Sequence, residues 1–237
     1  MTTTLYELVS ENGASACPYV WRIKYALAKK GVPYDIKKIG LTDIPTILGG
    51  RYKSVPVMVH DGTELGDSWL IADHLDVAFP DAPALFSCPG ERGIVRFFDG
   101  WLSTQILAKL LNIYALDIHD NARPTDRAYF RQSREARMGR TLEEFVSNRE
   151  QVLAALRVGI EPMRKTLADQ PFIGGTEPSY ADFIAIGVII WVTGFGSIPL
   201  FAADDPLLTW VDRCRDLYDG LGRTVELPGL VEAPAAA

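Results

Sequence analysis

A chain of 237 residues holds one large domain or two small ones. Its 48% hydrophobic and 23% charged residues are ordinary for a globular protein, and its net charge of −6 argues against a general nucleic-acid binder, which needs a basic face. Three cysteines, Cys17, Cys88 and Cys214, are too few and too scattered for a disulfide framework.

The N-terminus, MTTTLYELVSENG, has neither a basic n-region nor a long apolar run, so no signal peptide is expected. The most apolar stretch, Ile184 to Val192, is too short to span a bilayer. A cytoplasmic, reduced protein without a membrane partner is the expectation. Thr4 to Val9 reads as a strand. Pro18 to Lys30 reads as a helix, with Val20, Ile23, Lys24 and Leu27 at helical spacing and Gly31 closing it. Tyr34 to Ile39 alternates as a second strand, and Asp43 to Leu48 is a short helix. Val57 to His60 and Thr63 to Leu65 flank Asp61-Gly62, a strong two-residue hairpin signal. Ser68 to Val77 then reads as a helix with Trp69, Ile71, Ala72 and Leu75 inward.

Beyond the linker at 82–90 the strand signals stop. Glu91 to Leu116, Asp126 to Met138, Leu142 to Ala168, Tyr180 to Thr193 and Pro206 to Tyr218 read as helices. Ser179-Tyr180-Ala181-Asp182 has the form of a capping box with Asp for the usual Glu. The expected domains are an α/β unit at 1–81 and a helical unit at 91–226. Residues 227–237 form a small, Pro/Ala-rich tail expected to be disordered.

Cys17-Pro18 carries the first chemical signal. Proline is favoured at the first helical position, so Cys17 faces the unpaired amides and positive dipole end of a helix, a place that favours a thiolate. Either Cys17 attacks a disulfide itself, or the site holds the thiolate of a bound thiol. No Cys-x-x-Cys is present, because position 20 is valine. Ser68 opens a helix and can receive a carboxylate there, and Asp67 can accept from an amino group; a plain helix N-cap is the alternative. Lys53 and Arg51 can meet a second carboxylate or simply face solvent. His60, His74 and His119 have no ligand-like spacing, so no metal site is expected. Arg127, Arg131, Arg134, Arg137 and Arg140 form a stripe at helical spacing among acids, and it reads as a solvated ion-pair face rather than an anion site.

Cys17-Pro18, Val55-Pro56 and Asp67-Ser68, in this order and spacing, resemble the glutathione transferases. Pro18-Tyr19-Val20-Trp21-Arg22, Asp67-Ser68-Trp69, Asp204-Asp205-Pro206-Leu207 and Asp216 to Arg223 look most similar to the lignin β-etherase branch and its fungal relatives. The resemblance implies a thioredoxin-like N-terminal domain with a helical C-terminal domain, the glutathione transferase fold, assembled as a homodimer. It implies glutathione as co-substrate, held by Lys53, Val55 before a cis Pro56, Asp67 and Ser68. Ser15 or Cys17 is the implied catalytic group; β-etherases commonly carry serine at the position of Cys17, and omega-like transferases carry a cysteine that forms a mixed disulfide. An apolar pocket for an aromatic electrophile would draw on Tyr19, Trp101, Tyr114 and Trp191, with Phe195 a further candidate. Three readings stay open: a transferase acting on aromatic electrophiles such as β-aryl ethers, a glutathione-dependent reductase working through Cys17, and a non-catalytic module binding aromatic ligands.

Overall fold

The computed structural model describes residues 2–231. Four strands, β1 (Thr3–Leu8), β2 (Asp35–Ile39), β3 (Val57–His60) and β4 (Thr63–Gly66), form one sheet in the order β2-β1-β3-β4. β1 runs parallel to β2 and antiparallel to β3, with Leu5 opposite Ile36 on one side and Met58 on the other. The period of two in β1 divides its side chains between two cores. Leu5 and Met58 face α1 (Pro18–Lys30) and α2 (Ser68–Ala78) in the main core. Tyr6 and Val57 face Ile44 and Ile47 of a 3-10 segment at Leu41–Gly49 in a smaller one. The β3–β4 turn has φ of 45° at Asp61 and 82° at Gly62, as the Asp-Gly signal requires.

The helical part comprises α3 (Pro89–Trp101), α4 (Ala108–Asn121), α5 (Pro124–Met138), α6 (Leu142–Val146), α7 (Arg149–Gly159), α8 (Glu161–Asp169), α9 (Tyr180–Thr193) and α10 (Leu207–Gly220). Two long helices expected from periodicity are interrupted. Between α3 and α4 the chain widens into a π turn at Leu102–Leu107. There the Ser103 and Thr104 hydroxyls donate to the Asp99 and Gly100 carbonyls at 2.6 and 2.9 Å, competing with the helical ladder. The expected Leu142–Ala168 helix is three helices; Asn148 leaves helical geometry, and Pro162 lacks the N–H to continue α7.

α9 is the axis of the molecule, with all fourteen residues buried. Asp182 fixes its start. The carboxylate accepts from the Ile173, Gly174 and Ser179 amides and from the Trp210 indole N–H, at 2.7 to 3.1 Å. α9 packs on α1 at Gly187, where a Cβ would sit 2.8 Å from the Pro18 carbonyl oxygen. This close approach sets the start of α1.

Residues 227–231 depart from the tail expectation. The Leu200 and Phe201 amides donate to the Gly229 and Leu230 carbonyls at 2.8 and 3.0 Å, and Leu227 and Leu230 are buried. Apolar side chains at 227 and 230 hold this segment against 200–201. The rest of the expected tail, 232–237, lies outside the described residues.

Candidate functional site

Cys17 precedes α1 in extended backbone, φ −143° and ψ 121°, with Pro18 at the first helical position. Its side chain does not cap the helix. The Sγ instead lies 3.9 Å from the Val55 carbonyl oxygen, a weak S–H contact, and the following Val55–Pro56 bond is cis. The thiol is 6% exposed. Burial pushes it up to about 11, against the smaller opposing pull of the Val20 and Tyr19 amides and the Arg22 guanidinium. Burial thus opposes the pull of the helix start on a thiolate, and desolvation is the larger of the two. With a pKa of about 11, the Cys17 thiol keeps its proton at pH 7.

Ser15 does not join it. Ser15 pairs with Val9 in an isolated bridge. It lines a separate cavity of about 420 Å³ with Trp21, Gly194 and Val225, and its buried hydroxyl has no protein partner. Ser10 is held locally, its hydroxyl donating to Asn12 Oδ1 at 2.7 Å.

Asp67 and Ser68 start α2 beside this site. Asp67 has φ 76°, a costly conformation of the kind that collects at functional sites. Its Oδ1 accepts from the Trp69 and Leu70 amides at 2.8 and 3.3 Å, and Oδ2 makes no such bond among the described residues. Capping and ligand binding are therefore compatible, one oxygen for each. Ser68 is buried, and its carbonyl accepts from the Tyr180 hydroxyl at 2.9 Å, which ties α2 to α9. Lys53 is exposed with no ion-pair partner among the described residues, whereas Arg51 pairs with Glu64.

Sequence reasoning missed the frame beneath these residues. Arg22 is 1% exposed; its Nη2 lies 3.1 Å from Asp99 Oδ1, and its guanidinium sits 4.7 Å from the Tyr19 ring centre. Asp99 Oδ2 accepts from the Trp69 indole N–H at 2.7 Å. One buried cation and one carboxylate thus join α1, α2 and α3. Ten of the thirteen residues of α1 are buried, so periodicity gave no sign that Arg22 faces inward.

A cavity of about 530 Å³ opens from Cys17 toward the helical part. Tyr19, Leu107, Leu111, Phe145, Trp191 and Phe195 are among its lining residues, so the mostly apolar character suits an aromatic ligand. Trp101 and Tyr114 are not there. Tyr114 is fully buried in the core with its hydroxyl donating to the Ile198 carbonyl at 3.0 Å, and Trp101 packs on Phe98 with ring centres 5.6 Å apart. Arg134 and Arg137 also line the cavity, which the reading of the arginine stripe as a solvated face did not anticipate. No cluster of three metal-binding side chains exists among the described residues. His60 instead shares a 2.9 Å hydrogen bond with Thr3.

Two family models match most of the chain. Residues 13–83 match the glutathione S-transferase N-terminal domain, and residues 94–196 match the C-terminal domain. The chain belongs to the glutathione S-transferase family. A glutathione S-transferase U7 of Arabidopsis thaliana is 26% identical over 183 residues, covering 76% of this chain and 68% of its own. A probable glutathione S-transferase GSTU6 of Oryza sativa is 26% identical over 216 residues, covering 86% and 82%. Among solved structures, a Ceriporiopsis subvermispora glutathione S-transferase in complex with glutathione superposes with a TM-score of 0.77 at 23% identity over the whole of both chains. Glutathione transferase GSTFuA3 of Phanerochaete chrysosporium gives 0.75 at 22% identity over 94% of each. The fold is that of a glutathione transferase, a thioredoxin-like domain followed by a helical one. No helix among the described residues is long and apolar enough to cross a membrane.

Proposed function

We propose that this glutathione transferase binds glutathione along Val55, Asp67 and Ser68, with Lys53 reaching its glycyl carboxylate, and transfers it to an aromatic electrophile in the cavity beside Cys17. One observation carries the reading: Cys17 both contacts the Val55 carbonyl and lines the 530 Å³ cavity. A sulfur bound at the start of α1 is therefore delivered to an apolar acceptor space. The residues fit the tripeptide. The free Asp67 oxygen suits its α-amino group, and the α2 start suits its γ-glutamyl carboxylate.

The neutral Cys17 S–H donates a hydrogen bond to the glutathione thiolate, as a serine hydroxyl does in the β-etherases that this chain resembles. A hydrogen bond to the charged form lowers a thiol's pKa. The thiolate sulfur then bonds to the electrophilic carbon, and the leaving group departs with the electron pair of the broken bond. For a β-aryl ether, the specific acceptor proposed, the C–O bond breaks and a phenolate leaves. Alignment of the two reactants supplies much of the acceleration. Burial of Cys17 counts against the reductase reading, since the thiolate is the attacking species there.

The exposed Leu70 and Val77 on α2 and Ile94 and Phe97 on α3 support a homodimer through that side. Calorimetric titration with glutathione, followed by a conjugation assay on aryl halides and a β-aryl ether, tests the reading. Binding with turnover is expected. Binding of aromatics without turnover would favour the non-catalytic module, and no glutathione binding would refute the proposal.

A further inference from the structure

The arginine stripe of α5 divides in two. Arg131 bridges Glu135 and Glu143 at 2.9 Å, and Arg127 pairs with Glu11 at 2.6 Å. Arg134 and Arg137, one turn apart, have no carboxylate partner among the described residues. Three acids of α5 and α6 have other partners among the described residues: Asp126, Glu135 and Glu144. Glu135 holds Arg131 and accepts from the Leu142 amide at 3.0 Å. Glu144 accepts from the Thr141 amide and hydroxyl in a capping box. Asp126, which lines the same cavity, accepts from Thr42, the Leu41 amide and Arg123.

Both free arginines line the cavity that Cys17 opens into. Arg134 is half-buried; its guanidinium lies 4.5 Å from the Phe130 ring centre and, among the described residues, donates only to Ser133 Oγ, at 2.9 Å. Burial, and then the neighbouring charge of Arg137, pull it down. Two like charges beside an apolar cavity repel each other, and the half-buried Arg134 lacks, among the described residues, the anion that would offset its desolvation. Guanidinium groups match carboxylate and sulfonate oxygens with paired, charge-assisted hydrogen bonds.

Building on the transferase reading above, we propose that the aromatic acceptor of this enzyme carries a carboxylate or similar anionic group, and that Arg134 and Arg137 bind that group in the cavity beside Cys17. The apolar walls take the ring, and the arginine pair selects acids over neutral analogues. Discrimination of this kind is strong where a site's own polar groups go unpaired with the wrong ligand.

Two probe pairs test it. The first needs no turnover: 1-anilinonaphthalene-8-sulfonate against N-phenyl-1-naphthylamine, the same rings without the sulfonate, read by fluorescence. The second reads transfer from glutathione: 4-chloro-3,5-dinitrobenzoate against 1-chloro-2,4-dinitrobenzene. In both electrophiles the thiolate sulfur bonds to the ring carbon that bears chlorine, and chloride leaves with the C–Cl electron pair. Arg134→Gln and Arg137→Gln should each lower the anionic-to-neutral ratio, of affinity and of kcat/KM, by about tenfold, equal to ~1.4 kcal/mol. Arg134→Lys should recover part of it. An unchanged ratio, or equal losses on both members of a pair, would overturn the anion site. Should Arg134→Gln fail to fold, the exposed Arg137 gives the same reading alone. A protein that binds no glutathione would lose the second pair only, and the dye pair would still decide the anion site.

Discussion

The Cys17 sulfur sits 3.9 Å from the Val55 carbonyl oxygen, which brings the start of α1 against the turn before Pro56. Two segments 38 residues apart thereby meet at the place proposed for the glutathione thiol. The protein's own thiol is protonated there. A protonated thiol suits the donor role proposed above rather than attack on a disulfide.

Reactivity of the three thiols should follow from this. At pH 8, iodoacetamide should modify Cys88, which is exposed, before Cys17 and Cys214, which are buried and whose pKa values burial raises. The Cys17 thiol has a folded pKa of about 11 against 9.0 in the open chain, so the unfolded state loses its proton first. The contribution of this group is fully present below pH 9 and falls between pH 9 and 11. Cys17→Ala should flatten that slope in a urea-unfolding series. Fast modification of Cys17 at pH 8, read by peptide mass spectrometry, would contradict its burial.

Arg22 and Asp99 form a buried ion pair whose loss on one side leaves an unpaired charge or polar group. Arg22→Met should cost about 3–5 kcal/mol, because Asp99 then keeps only the Trp69 indole and the distant Arg96. A thermal midpoint lower by roughly 6–20 °C is the expected readout for a chain of this size. A raised KM for glutathione should accompany it, since Trp69 follows Ser68 at the start of α2. A fall of under ~1 kcal/mol would show that the pair is not the frame described.

Gly187 is needed for its size. Any side chain there meets the Pro18 carbonyl oxygen at 2.8 Å and Trp21 Cβ at 3.2 Å, so α1 must shift. Gly187→Ala should destabilise by about 1–3 kcal/mol through overpacking and should raise the glutathione KM more than it lowers kcat. An unchanged KM would separate the α1–α9 contact from the site.

Asp182, itself fully buried, anchors α9 by accepting from three amides and one indole. Asp182→Ala should cost more than an exposed N-cap does, above ~2 kcal/mol, because the buried Ser179 amide and Trp210 indole lose their acceptor at once. Chemical denaturation measures it directly. Asp182→Asn, which keeps the acceptor oxygen, should recover part of the loss.

The elements that sequence places well are those with local punctuation. Pro18 and Gly31 bound α1, Asp61-Gly62 sets the hairpin, and Ser179 with Asp182 opens α9. The π turn at 102–107 was hidden because Ser103 and Thr104 compete with the ladder without breaking hydrophobic periodicity. Trp191 and Tyr114 look alike in sequence, and only packing assigns one to the cavity and the other to the core. Ser15 and Cys17, two apart in extended chain, were expected to share a site; the Val9–Ser15 bridge separates them. That Arg22 meets Asp99 while Arg134 and Arg137 line the cavity is a matter of tertiary distance, which spacing along α1 or α5 does not contain.

The most direct test of the thiol site is the absorbance of bound glutathione thiolate near 240 nm as a function of pH, for the unmodified protein, Cys17→Ser and Cys17→Ala. The account predicts a bound thiol that ionises below the ~8.5 of an ordinary cysteine, nearly unchanged in Cys17→Ser and shifted upward in Cys17→Ala. A bound thiol that ionises no more readily than free glutathione, or equally in all three proteins, would contradict the role given to Cys17.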